Sequence, residues 1–198
     1  MKYKIAYVIS AIVLLLLSWY YFIHSGRPVS PNFINAVVAF GATIIIAIAF
    51  IIGPIVNFIP RLSSWDMYRK PFGLIGFGLA GLHTLIVFVV MLESTEEAGM
   101  SEIAAIGFAA VAFMIFTLMA LTSTNKWVTT LGYENWKNLQ RTGYIAFVFV
   151  LLHVLVLENG VFFGRLTGQI VLILGLAVLL LRALSQIMKM RGKQKIPL

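Results

Sequence analysis

Six stretches of this chain run for 16 residues or more without Asp, Glu, Lys or Arg: residues 5–23, 33–59, 71–92, 103–121, 142–157 and 166–181. A bilayer core needs roughly 20 apolar residues per helical span. Lipid offers backbone amides no hydrogen-bond partner, and the stretches lack the alternation of barrel strands, so each span has to be a helix. The expected fold is all-α: a polytopic bundle of six transmembrane helices, one domain over residues 1–198. Composition agrees, with 61% of residues hydrophobic and 11% charged, against roughly 25% charged in a soluble domain. No linker-like run, internal repeat or soluble domain is evident. The first stretch follows Lys2 and Lys4 as the core of a signal peptide would, but it is long and no small-residue cleavage pattern follows it.

The net charge of +8 would suggest nucleic acid in a soluble protein, but its distribution points to a membrane instead. Of the 15 Lys and Arg residues, 13 fall at the N-terminus, between stretches two and three, between four and five, and in the tail. The two others, Arg27 and Arg165, fall in the alternate loops, which also hold Glu93, Glu96, Glu97, Glu102 and Glu158. The positive-inside rule then places both termini in the cytoplasm of a multi-pass cell-membrane protein. Trp65, Tyr68, Trp127 and Trp136 share the basic loops, as rings anchored at headgroup level do. Membrane lipid is thus an expected partner and nucleic acid is not.

Ionisable residues within apolar spans are expensive and therefore mark function. His83 lies 12 residues after Pro71, and His153 lies 12 residues after Arg141. At 1.5 Å per residue both imidazoles come about 18 Å into spans running the same way, at one depth. Two histidines at one level can grip one iron. With no cysteine in the chain, thiolate ligation, iron–sulfur clusters and thioether-bound haem are excluded, whereas a b-type haem asks only for two neutral imidazoles in a dry pocket. Around His83 the residues Gly73, Gly76, Gly78, Ala80 and Gly81 suggest that something flat or close lies against the helix, with Gly81 a candidate for haem packing. Each histidine alone could instead hydrogen-bond a neighbouring helix. His24, at the end of the first span, reads as an interfacial residue or an alternative ligand.

Two stretches carry a family resemblance. The first runs from Pro60-Arg61-Leu62 and Trp65 through Arg69-Lys70-Pro71-Phe72-Gly73-Leu74 to Gly81-Leu82-His83. The second comprises Trp136, Leu139-Gln140-Arg141, Tyr144 and Leu152-His153. Over roughly residues 53 to 165 they resemble the ferric reductase-like transmembrane family, and are similar to the haem-binding membrane subunit of the periplasmic methionine sulfoxide reductase system. The resembling core extends over about residues 53–184. In that family two histidines stand thirteen apart, the first followed by Arg; here Gln140 takes the first position, and Lys70 stands thirteen before His83. The resemblance therefore implies an arrangement reduced to one heme b, with His83 and His153 as its axial iron ligands. Larger relatives carry FAD and NADPH domains after the bundle, whereas here about ten residues follow Lys189.

The expectation is a transmembrane cytochrome b that takes electrons from a cytoplasmic flavin, flavoprotein or membrane quinol and passes them to an acceptor or partner oxidoreductase on the outer side. FMN, FAD or a quinone would sit at the cytoplasmic side near Trp136, Gln140 and Arg141. The alternative is a haem-free transporter or assembly factor that uses the histidines as polar or proton contacts. A further possibility is an anchor subunit whose haem is structural.

Overall fold

The computed structural model of the chain describes residues 3–93, 99–157 and 165–193. Glu96, Glu97 and Glu158 of the acidic loops lie outside the described residues. Helix α1 (Lys4–Ser18) widens into a π-helical turn (Trp19–His24), and α2 (Pro31–Phe58) is followed by a 3-10 segment (Pro60–Tyr68). Then come α3 (Arg69–Glu93), α4 (Met100–Leu121), the short α5 (Asn125–Leu131) and α6 (Tyr133–Arg141), α7 (Gly143–Val156) and α8 (Leu166–Lys193). Among the described residues, six stretches are long and apolar enough to cross a membrane: Lys4–His24, Pro31–Phe58, Pro60–Val90, Met100–Leu121, Tyr133–Val156 and Leu166–Arg191. The described residues contain no strand, and the protein is an all-α, multi-pass membrane protein.

Helix α2 is the axis of the bundle, with 12 buried residues between Val37 and Pro54. It packs most extensively on α3, and also on α8 and α1, while α4 packs on α7. Neighbours in sequence run antiparallel. Gly41 of α2 meets Leu14, while Ile52 clusters with Ala6. On the next interface Ile46 faces Gly76 and Asn35 faces His83. Phe77 and Phe113 stack between α3 and α4, and Gly143 lies against Met119 between α7 and α4. It follows that α3 and α7 run parallel. They barely touch, which leaves a slot between them.

The glycine run of α3 divides by direction. A Cβ on Gly76 would stand 2.5 Å from Ile46 Cγ1 and 3.3 Å from the carbonyl oxygen of Ala42. This glycine therefore lets the α2 and α3 backbones approach closely, as small residues do between membrane helices. At Gly73 and Gly78 an added Cβ would meet nothing within 4 Å. Outward residues such as Leu15, Leu85, Phe88, Ile173 and Leu180 are exposed apolar side chains, the surface that hydrocarbon covers.

One long-range bond follows from a missing donor. Pro54 sits inside α2, and its ring nitrogen cannot bond the carbonyl four residues earlier. That carbonyl belongs to Phe50, and the Tyr144 hydroxyl of α7 donates to it at 3.1 Å. An unmet carbonyl in lipid is costly, so Tyr144 both satisfies α2 and fixes α7 against it. Tyr144→Phe is expected to destabilise the bundle by about 1–3 kcal/mol, the cost of a buried unsatisfied acceptor. In a Pro54→Ala background, where residue 54 regains its N–H, the cost should shrink. A double-mutant cycle of denaturation in detergent checks this, and equal costs in both backgrounds would refute it.

Candidate functional site

The slot between α3 and α7 opens into a cavity of about 720 Å³, within the roughly 300–1,000 Å³ usual for cofactor and ligand sites. Its long wall is one stripe of α2: Asn32, Asn35, Ala36, Ala39, Ala42, Thr43 and Ile46. These positions recur at helical spacing, so they share a face. Alanines on that face, with Ala80 of α3 and Ala109 and Ala112 of α4, hold side chains short and leave the space open. Phe40, Phe113, Phe116 and Val171 complete the apolar walls.

His83 and His153 both line this cavity, with ring centroids 6.3 Å apart and planes at 67°. Each ring is anchored through Nδ1. His83 Nδ1 lies 2.8 Å from Asn35 Oδ1, and His153 Nδ1 lies 2.9 Å from the Ala105 carbonyl oxygen of α4. Carbonyl and amide oxygens only accept, so both Nδ1 atoms carry the proton and both Nε2 atoms keep a lone pair for a metal. An acceptor behind each ligand is the arrangement that fixes tautomer and ring direction in metal sites.

The separation fits a shared iron. Two metal–nitrogen bonds of about 2 Å each, together with the two ring radii, span about 6 Å. Rings on one axis can stand at any mutual twist, so 67° is compatible with it. Among the described residues no group of three or more His, Cys, Asp or Glu could hold a bare ion. A porphyrin supplies four nitrogens of its own and asks the protein for two, so the residues present fit a haem.

The other expected site residues fall elsewhere. Gly81 lies one layer behind the cavity, where an added Cβ would stand 3.9 Å from the Phe113 ring. Gln140 Nε2 donates to the Met119 carbonyl at 3.2 Å and to Thr122 Oγ1 at 3.3 Å. Trp136 Nε1 donates to the Thr122 carbonyl at 2.9 Å. Both side chains thus satisfy polar groups at the C-terminal end of α4. Arg141 bonds Asn138 Oδ1 at 2.7 Å on the surface. His24 stacks on Trp19 and Tyr20, at 5.5 Å and 5.7 Å, and does not line the cavity. Glu102, from the acidic loops, caps α4 by accepting from the Gly99 N–H at 3.0 Å.

Sequence reasoning missed Asn35. The signal was available, since it is one of two amides, with Asn57, in the apolar stretch 33–59, and membrane helices keep such groups only where something bonds them.

The site belongs to an integral membrane helical bundle in which two histidines face one cavity. Residues 36–151 match the ferric reductase like transmembrane component family, and the chain belongs to it. Family membership points to electron transfer in the membrane, and members typically bind haem. The matched stretch takes in most of α2, α3 with His83, α4 and α7 as far as Leu151; Asn35 and His153 lie just beyond its two ends. The chain is also similar to the magnetosome protein MamZ of Magnetospirillum gryphiswaldense, 33% identical over 108 residues, covering 51% of this chain and 16% of that protein. It therefore spans about one sixth of the length of that relative.

Proposed function

We propose that the chain is a transmembrane b-type cytochrome that holds one haem between His83 and His153. Electrons reach it from a cytoplasmic flavin, flavoprotein or membrane quinol and leave for an acceptor on the outer side. The observation that carries the reading is the pair of Nδ1-anchored imidazoles, 6.3 Å apart, facing one cavity. When bound, the haem supplies one-electron chemistry, its iron alternating between ferric and ferrous. The chain's residues do the rest. Asn35 and Ala105 aim the imidazoles, the α2 alanines make room, and Phe113, Phe116 and Val171 keep the site apolar. Gly81 does not line the cavity, and a Cβ there would meet the Phe113 ring only at 3.9 Å, an ordinary contact.

A single haem is supported by what fills the remaining core. Phe50 lies 6.3 Å from Phe116, 4.8 Å from Tyr144 and 5.8 Å from Phe147, and the cluster they share with Ala47, Ala146 and Val178 is buried. Gln140, standing where the family's other histidine would be, is engaged with α4.

The reading places the basic end of the bundle in the cytoplasm. There Lys189 is within electrostatic reach of Arg69, Lys137, Arg141 and Arg182, a positive surface suited to an anionic flavin or acidic flavoprotein. Trp136, Gln140 and Arg141 mark the donor side, and FMN, FAD or quinone is the cofactor class that would engage it.

The test is a dithionite-reduced minus oxidised spectrum with pyridine haemochrome quantitation on protein purified from haem-replete cells. The expected result is close to one b haem per chain, reduced by added flavin or quinol donors more slowly in Arg141→Glu. Absence of any haem would overturn the cytochrome reading. Unchanged reduction rates with every donor would overturn only the placement of the donor.

A further inference from the structure

The positive-inside rule accounts for how many cations gather at the basic end of the bundle, but not for the direction in which α8 points two of them. Val171, Val178 and Ser185 are buried and recur every seven residues, so they form one stripe. Asn57 Nδ2 of α2 donates to Ser185 Oγ at 3.0 Å, which seats that stripe on α2. Gly175, Arg182 and Lys189 make a second stripe beside the first, four residues further on, and Gly175 meets Leu151 of α7. Arg182 therefore faces α7 rather than lipid, with its guanidinium 4.7 Å from the centre of the Tyr144 ring.

Arg69 comes to the same place from α3. An added Cβ on Gly53 of α2 would stand 3.1 Å from Arg69 Cζ, so the guanidinium lies directly on the α2 backbone. Its Nη1 donates to Asp66 Oδ1 at 3.2 Å, while its Nε–H is buried and has no acceptor among the described residues. Both arginines act electrostatically on Tyr144 and on Lys189, and the carboxylate that acts on the same tyrosine is that of Asp66. Among the described residues, three cations thus converge on a place with one acid.

We infer that Arg69 and Arg182 hold a phosphate group between them at the basic end of the bundle, with Lys189 in support. The site is built without the histidines and does not rest on the cytochrome reading. Guanidinium groups take phosphate oxygens by paired, charge-assisted N–H donation, and buried donors are seldom left without an acceptor. After Asp66 an excess of two positive charges remains, which matches a phosphate monoester of roughly −1.5 to −2 better than a second carboxylate. A lipid headgroup and a phosphate ester arriving from solution present the same oxygens, and the test separates them.

Purified protein in phosphate-free detergent is to be titrated with inorganic phosphate at constant ionic strength while thermal unfolding is followed. Native mass spectrometry then reads the lipid retained after extraction from phosphatidylglycerol or phosphatidylcholine nanodiscs. Wild type is expected to gain stability saturably with phosphate, as a ligand of the folded state does. Arg182→Gln should weaken the apparent affinity at least about tenfold, in line with a lost charged hydrogen bond. Arg182→Lys and Arg69→Lys, which keep the charge but not the fork, should fall between. Lys126→Gln, a cation of the same end outside the cluster, should match wild type.

Phosphatidylglycerol retained by wild type and lost from Arg182→Gln would support the site and assign its phosphate to a lipid. Saturable phosphate binding with no retained lipid would support it and assign the phosphate to a soluble ester. Neither saturable binding nor retained lipid in wild type would overturn the site. Equal weakening in Lys126→Gln and Arg182→Gln would also overturn it, by showing a diffuse charge effect. Haem content enters none of these readouts, so the cytochrome reading stands or falls separately.

Discussion

His83→Ala and His153→Ala are each expected to remove the b-type signal altogether, leaving well under a tenth of the wild-type haem in purified protein. The two proposed ligands come from helices that barely touch, so neither could substitute for the other by a small shift. Removing one would leave the proposed haem with a single protein ligand, and it orphans an acceptor, Asn35 Oδ1 in one case and the Ala105 carbonyl in the other. The bundle itself should survive, because α2 remains packed on α3 and α8 and the Tyr144 bond to Phe50 is untouched. Size-exclusion profile and helical circular dichroism would confirm that. Free imidazole is expected to restore part of the spectrum in either variant by occupying the space the side chain left. His24→Ala serves as the internal control and should keep full haem, since its ring is stacked on Trp19 and Tyr20 outside the cavity. Full haem content in His153→Ala would refute the ligand pair, and loss in His24→Ala would reopen its role as an alternative ligand.

The spans and the paired histidines were legible in the sequence because both rest on one-dimensional signals. An uncharged run long enough to cross hydrocarbon has few folds open to it, and equal distances from two basic boundaries place two side chains at one depth. The expected spans 142–157 and 166–181 meet α7 and α8, although α8 runs on to Lys193, because amphipathic flanks continue a helix past the uncharged core. The partners of the spans were not legible. Nothing in hydropathy singles out α2 as the central helix, because apolar side chains facing lipid and apolar side chains facing protein look alike. The glycine run of α3 drew attention toward a flat ligand, but only Gly76 meets a neighbouring backbone, and the space for the ligand comes from alanines on α2 and α4. The bond from Tyr144 to Phe50 depends on Pro54 and on the register between α2 and α7. Such a bond can be read only once both helices are in place.

Asn35 is where the missed partner has the largest consequence. Its Oδ1, 2.8 Å from His83 Nδ1, accepts the Nδ1 proton, which leaves the lone pair on Nε2. Asn35→Leu preserves bulk and apolarity on α2 but strands that N–H, which is then free to move to Nε2 and abolish the ligand. Outer partners of metal-bound histidines commonly contribute 10–100-fold to affinity. Haem loss to apomyoglobin is therefore expected to accelerate by about that factor in Asn35→Leu, with the folded fraction unchanged. Asn35→Asp should behave oppositely in one respect. A carboxylate pulls harder on the Nδ1 proton, makes the imidazole a stronger donor to ferric iron, and so keeps the haem while lowering its potential. The His153 side offers no such handle, because a backbone carbonyl holds that ring. The two ligands should then differ in how far substitution can tune them: His83 through Asn35, His153 only through the placement of α4. A Leu variant that holds haem as tightly as wild type, at the same potential, would show that packing alone orients His83.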